Sequence, residues 1–178
     1  MLESNEIILK KYTIEDIPQL FEAARASINR VHPWLPWCHP NYSIDETEAW
    51  IKTRPKHWNE GKAFGFSIQN TEGTIIGGCG IGIQSVSWCG NLGYWLRTGY
   101  TGQGYATVAT KLLAEFGIRQ LKLKRIEIVA SVENDLSQKV AERAGAYKEG
   151  IARNRLLIHE RFHDAAVYSF IPNDFDTE

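Results

Sequence analysis

Gly99, Gly102 and Gly104 stand between an alternating stretch, Asn91 to Thr98, and an apolar-periodic one that begins at Tyr105. Glycine lets successive backbone N–H groups turn toward one point. A helix starting there adds free N–H donors and a partial positive charge. That combination suits a phosphate or pyrophosphate, and the same glycines also suit a plain strand-to-helix turn. Two nucleotide readings fail on residue type. Gly99 and Gly104 have the GxxxxG spacing, yet Tyr105 and Ala106 stand where Lys and Ser or Thr would have to neutralise a terminal phosphate and hold magnesium. Gly102-Gln-Gly104 lacks the third glycine of a dinucleotide fingerprint, and the run Gly77 to Gly82 lies inside a strand pattern with no helix behind it.

Other chemistry-bearing residues carry weaker signals. Cys38-His39, His32 and His57 match no structural zinc spacing, so no metal site is expected. Cys79 and Cys89 lie in strand-like or turn segments without an evident base, which argues against a cysteine nucleophile.

The elements around the glycine loop follow from periodicity. Ile7 to Tyr12 reads as a first strand. Thr13-Ile-Glu-Asp16 opens a helix that carries apolar residues at helical spacing to Ile28. Val31 to Tyr42 contains Pro33, Pro36 and Pro40 and cannot be a regular helix. Ser43-Ile-Asp-Glu46 is a second capping signal, for a helix running to about Glu60. Ala63 to Gln69 and Thr74 to Val86 form a hairpin, and a turn through Ser87 to Gly90 leads to the strand Asn91 to Thr98. Beyond the helix from Tyr105 come a strand from Arg125 to Val132, a short helix from Asp135 to Arg143 ended by Gly145, and two strands near 147–158 and 162–171. The order predicts an α+β (mixed α/β) domain, with a central twisted mixed sheet of about seven strands flanked by about four helices.

Composition bounds the partners. The chain has 178 residues, 43% of them hydrophobic and 23% charged, which is the make-up of a globular domain with a real core. A net charge of −1 argues against a nucleic-acid binder that works by phosphate neutralisation. No apolar run reaches the ~20 residues that span a bilayer, so no membrane partner is expected. The acidic start and three cysteines without paired spacing are the pattern of a reduced, cytoplasmic protein.

Four segments together resemble a known family. They are Gly93-Tyr-Trp-Leu96, Gly102-Gln-Gly-Tyr-Ala-Thr107, Asn134-Asp-Leu-Ser137 and Glu142-Arg-Ala-Gly145-Ala-Tyr-Lys-Glu-Gly150. In that order they are similar to the GCN5-related N-acetyltransferase (GNAT) superfamily, and within it to the RimJ/RimL-like branch of ribosomal-protein acetyltransferases. The resemblance runs from about residue 7 to 172 and implies one N-acetyltransferase domain over residues 1–178, with acetyl-CoA as co-substrate. It implies that Gly102, Gln103, Gly104, Tyr105, Ala106 and Thr107 hold the pyrophosphate through backbone amides. Trp95, Leu96 and Arg97 would pair their main chain with the pantetheine arm, and Asn134 would contact it. Lys122-Leu-Lys-Arg125 is a solvated basic face, or touches the adenosine phosphates.

The resemblance further implies Ser137 near the thioester sulfur, as proton donor or hydrogen-bond partner. Its two usual carboxylate slots hold Asn91 and Val129 here. Glu127, two residues before Val129 and on the same strand face, is then a candidate base acting through a water. It is equally a strand carboxylate paired with a basic neighbour. His163 and Asp164 stand behind it as candidates. Trp34 and Trp37, on the proline-stiffened segment, resemble the branch's aromatic wall over the acceptor; the plainer alternative is a loop folded onto the core.

The expected activity is therefore acetyl transfer to a primary amine, such as a protein N-terminus, directly within a ternary complex. Transfer to a polyamine, amino sugar or antibiotic is the nearest alternative, and a non-catalytic acyl-CoA-binding module on the same fold is the other. A monomer and a homodimer are both compatible with the sequence.

Overall fold

A sheet of eight strands organises the chain in the computed structural model, which describes residues 1–84, 86 and 88–176. Ser85 and Ser87, which fall in the expected turn and strand end, and the last two residues of the expected domain lie outside the described residues. The strands are β1 (Leu2–Glu3), β2 (Ile7–Lys11), β3 (Ala63–Asn70), β4 (Ile75–Ile83), β5 (Cys89–Leu96), β6 (Arg125–Ser131), β7 (Tyr147–Ile158) and β8 (Arg161–Phe170). Their spatial order is β1-β2-β3-β4-β5-β6-β8-β7. The eighth strand, beyond the seven expected, is the two-residue β1.

Among the described residues five α-helices flank the sheet: α1 (Ile17–Arg25), α2 (Ile28–Val31), α3 (Ile44–Asn59), α4 (Tyr105–Arg119) and α5 (Asp135–Ala144). The fifth arises because the stretch expected as one helix to Ile28 is broken. The Ser27 hydroxyl donates to the Ala23 carbonyl at 2.6 Å and accepts the Thr98 N–H at 2.9 Å, so the serine takes over helix bonding and ties the break to the end of β5. α3 starts where its capping box places it, with the Glu46 N–H on Ser43 Oγ and the Glu46 carboxylate accepting the Ser43 N–H at 2.9 Å. α5 ends at Gly145 in the left-handed region, φ 90°.

Period-two alternation divides the sheet residues between two layers. Ile81, Leu92, Ile126, Ile128 and Tyr168 face a main core closed by Ala109, Leu113 and Phe116 of α4 and Ala141 of α5. Tyr12, Leu20, Ile51 and Ile75 form a smaller cluster with α1 and α3, joined by Trp95 from β5. No helix among the described residues is long and apolar enough to cross a membrane.

Candidate active site

β5 and β6 are the sheet's parallel pair, and they stay together only briefly. Cys89, Gly90 and Asn91 pair with Arg125, Ile126 and Glu127; thereafter β5 continues to Leu96 and β6 to Ser131 without further pairing between them. β4 still holds the other edge of β5, from Gly90 to Leu96. The Arg97 N–H donates to Ile76 O at 2.8 Å and the Arg97 carbonyl accepts the Tyr100 N–H at 3.0 Å. In an antiparallel ladder alternate residues face opposite edges, so Tyr94 and Leu96 turn their main-chain groups toward the parted side. The main chains of Trp95 and Arg97, expected to pair with a ligand, are instead turned to β4 and bonded within the protein. Leu96 is the expected contact that keeps a free edge.

The glycine loop crowns that opening. Gly99, Gly102 and Gly104 all lie at left-handed φ, 97°, 79° and 90°. Gly104 immediately precedes α4, whose first-turn amides at Tyr105, Ala106 and Thr107 have no carbonyl one turn back to bond. α4 has no acidic residue in its first turn. A Cβ built at Gly102 or Gly104 meets nothing within 4 Å, so the loop surface is open to an incoming group. Gln103 Nε2 donates to Gly99 O at 2.9 Å and braces the loop. These features fit a pyrophosphate. Lys122 to Arg125 lies elsewhere: α4 separates the loop from it by 15 residues, about 22 Å of helix. The basic cluster therefore does not adjoin the loop, which leaves the solvated face as its reading.

Tyr94 and α5 close the opposite side of the parting. Asn134 caps α5, its Oδ1 accepting the Ser137 N–H at 3.1 Å. The Tyr94 hydroxyl lies 3.0 Å from both the Ser137 carbonyl and Ser137 Oγ, and burial pushes its pKa up to about 12. Tyr94 therefore stays protonated, and the pair bridges β5 to α5 across the place where the sheet has opened. Sequence reasoning missed Tyr94 as a functional residue, because its partner is 43 positions away.

Glu127 sits at the closed end of the parting. Its carboxylate accepts from Arg125 Nε at 3.0 Å and Gln84 Nε2 at 2.8 Å. Arg125 also forks onto Glu149, whose pKa falls to about 2 chiefly because of that guanidinium. One guanidinium is thus shared by two carboxylates, and the trio keeps one negative charge. His163 packs near Ser131 and Glu133, with Nδ1 at 3.3 Å from Ser131 Oγ, and Asp164 accepts the Asn154 N–H at 2.8 Å.

On the α1–α3 face a pocket of about 540 Å³ reaches the parted strands through Gly93, Tyr94 and Trp95. Its walls are aromatic. Trp37 meets Trp95 edge to face at 5.6 Å and Tyr42 at 5.4 Å, while Tyr12 packs on Trp50 at 4.8 Å. Trp34 does not line this pocket, whereas Trp37 does. Of the pocket's polar groups, Glu46 is paired with His39 at 2.9 Å, and the Arg54 guanidinium lies over the Trp50 ring at 4.3 Å. The floor is made of glycine: Gly65, Gly78, Gly80, Gly82 and Gly93. That floor was also missed; its signal was the alternation of glycines at 78, 80 and 82.

Burial raises the thiol pKa of Cys79, and that of Cys38 to about 11, so neither supplies a thiolate near neutral pH. No group of three or more His, Cys, Asp or Glu able to hold a metal occurs among the described residues.

Comparison with known proteins gives this geometry a context. Residues 6–147 match the family of acetyltransferase (GNAT) domains. A solved structure of a "putative ribosomal-protein-serine acetyltransferase" from Vibrio cholerae is 31% identical, with a TM-score of 0.82 over 96% of this chain and 97% of that one. RimJ of Mycobacterium smegmatis, solved in complex with a CoA-disulfide, is 20% identical and shares the fold, with a TM-score of 0.87 over 97% of this chain and 85% of that one. The ribosomal-protein-serine acetyltransferase of Escherichia coli (strain K12) is 28% identical over 89 residues, 50% of each chain. The match spans about half the length of the first curated relatives. The family match over residues 6–147 and the shared fold lead to one assignment: the chain belongs to the GNAT acetyltransferase family.

Proposed function

We propose that this protein is an acetyl-CoA-dependent N-acetyltransferase that transfers acetyl directly, within a ternary complex, to the α-amine of a protein N-terminus. The observation that carries the reading is the parting of β5 from β6 after Asn91 and Glu127, with the glycine loop at its mouth and the aromatic pocket opening onto it. The relatives named for ribosomal-protein acetylation support the acceptor class.

The first-turn amides of Tyr105, Ala106 and Thr107, with Gly102, Gln103 and Gly104, bind the pyrophosphate. The free edge of β5 at Leu96, beside Trp95, takes the pantetheine arm as a strand would, and Asn134 fixes the start of α5 beside it. The bound thioester supplies an activated acetyl carbon. The acceptor nitrogen attacks it, the carbon–sulfur bond breaks, and the sulfur receives a hydrogen bond from the Ser137 hydroxyl, while the amine's surplus proton leaves to water.

The protonation state of the acceptor decides whether a base is needed. An α-amine has a pKa of about 7.7–8.0, so a sizeable fraction is neutral near pH 7.5; a lysine-type amine near 10.4 is almost wholly charged there. Glu127 is ion-paired with an arginine that Glu149 shares, and Glu46 in the pocket is hydrogen-bonded to His39. A site whose carboxylates are occupied in this way suits an α-amine better than a polyamine, which would want an acidic pocket. The geometry favours the ion-pair reading of Glu127 over the base reading.

Thiol release from acetyl-CoA, measured with N-terminal peptides of ribosomal proteins, polyamines and amino sugars, tests the proposal. Turnover restricted to peptides is expected. Turnover restricted to polyamines or amino sugars overturns the acceptor class, and absence of CoA binding overturns the whole reading.

A further inference from the structure

Two glycines of the pocket floor have no structural reason to be glycine. A Cβ built at Gly82 or Gly93 meets nothing within 4 Å, and neither residue has a left-handed φ. Gly78 is different, since a Cβ there would strike the Tyr12 hydroxyl and the Trp95 indole. A glycine inside a strand costs about 0.5–1 kcal/mol relative to alanine. Gly82 and Gly93 thus carry a stability cost that neither packing nor backbone conformation requires. What they preserve is empty volume beneath aromatic walls.

That volume is large for the job of admitting a small N-terminal residue. A cavity of about 540 Å³ is in the range that takes up a whole small organic molecule, far more than one serine side chain fills. The walls are apolar, with Trp37, Trp95 and Tyr42 in edge-to-face contact and Trp50 beyond Tyr12. A pocket of this size and lining is filled well by a flat or bulky apolar group.

We infer that the acceptor carries a large apolar or aromatic side chain on the carbon that bears the reacting amine, and that this side chain seats over Gly82 and Gly93. The inference rests on the acetyltransferase reading and narrows its substrate. The amine of a free aromatic amino-acid amide and the first residue of a polypeptide share this chemistry.

The test uses the full-length enzyme and peptides that differ only at residue 1: Ser, Ala, Leu, Phe and Trp. Phenylalaninamide distinguishes a free amine from a polypeptide. Burial of a large side chain leads us to expect kcat/KM for the Phe and Leu peptides about 10- to 100-fold above that for Ser. Gly82→Leu, which places a side chain on the floor, should lower kcat/KM for the Phe peptide about tenfold or more and leave CoA affinity unchanged. Gly93→Ala is the smaller substitution, used if Gly82→Leu fails to fold by its melting curve. Peptide binding to the CoA-loaded enzyme is read in parallel by calorimetry.

Equal or better use of the Ser and Ala peptides overturns this inference and leaves the acetyltransferase reading standing. Failure of the Phe peptide to bind the CoA-loaded enzyme does the same. Loss of CoA binding in the wild-type protein overturns both.

Discussion

The Tyr94 hydroxyl is equidistant, at 3.0 Å, from the carbonyl oxygen and the side-chain oxygen of Ser137. A carbonyl only accepts, so the tyrosine proton is directed there and the serine hydroxyl is left to donate, either to Tyr94 or to a ligand in the gap. Ser137→Ala should therefore lower kcat several-fold or more with little change in CoA affinity. Tyr94→Phe should lose about 1 kcal/mol of stability, the usual worth of one such bond. Single-turnover kinetics with parallel CoA calorimetry and denaturant melts would check both; an unaltered kcat in Ser137→Ala removes that residue from the chemistry.

Gly104 should resist substitution because of its backbone conformation, since the fold leaves its Cβ position empty. At φ 90° a valine is strained, and its side chain would project into the loop's open surface. Gly104→Val should weaken CoA binding at least tenfold by calorimetry. Gly61, also left-handed with open space but in the turn after α3, is a control expected to alter stability without altering CoA affinity.

The carboxylate of Glu149 is held well below its ordinary range, to about 2, with the Arg125 guanidinium as the leading cause. A depressed carboxylate stabilises the fold fully above its unfolded pKa, near 4.5, and that stabilisation is lost as pH falls from there toward 2. Melting temperature should decline through this window. Glu149→Gln should melt lower at pH 7 and show a shallower acid decline; an identical pH profile would show that the Arg125 pair contributes nothing.

Glu127→Gln separates two roles for one residue. The ion-pair reading expects a lower melting temperature and an unchanged acid limb in the pH profile of kcat/KM. A base would instead remove or shift that limb and depress kcat by roughly 100-fold or more.

Local signals made much of this molecule readable in advance. The capping box at Ser43 and Glu46, the left-handed Gly145 and the glycine loop before Tyr105 each depend on residues within a few positions of one another. The two final strands expected from the sequence do pair, as β7 and β8, with register shifts after Lys148 and Ala152 that the sequence does not show. Contacts that depend on register were not readable. Arg125 meets Glu149 only because β6 and β7 both flank β8, and Tyr94 meets Ser137 only because β5 leaves β6 where it does. Trp34 and Trp37 look alike in the sequence, and only the turn geometry after α2 decides which of them reaches the pocket. The glycine-lined floor shows in the sequence only as the alternation of glycines on β4; that Gly65 of β3 and Gly93 of β5 join it depends on register.

The tip of the β7–β8 hairpin carries His159 and Glu160, both at left-handed φ, and His159 Nε2 lies 2.8 Å from the carbonyl oxygen of His32 with the two imidazoles in edge contact. The segment that presents Trp37 is thus fastened to a residue 127 positions further along the chain. A polypeptide emerges from the ribosome N-terminus first, at about 5–20 residues per second. The segment around Trp37 therefore waits roughly 6 to 25 seconds for the residue that latches it. Until the final hairpin has been made, a nascent chain can carry the glycine loop but lacks the latch at the edge of its aromatic pocket.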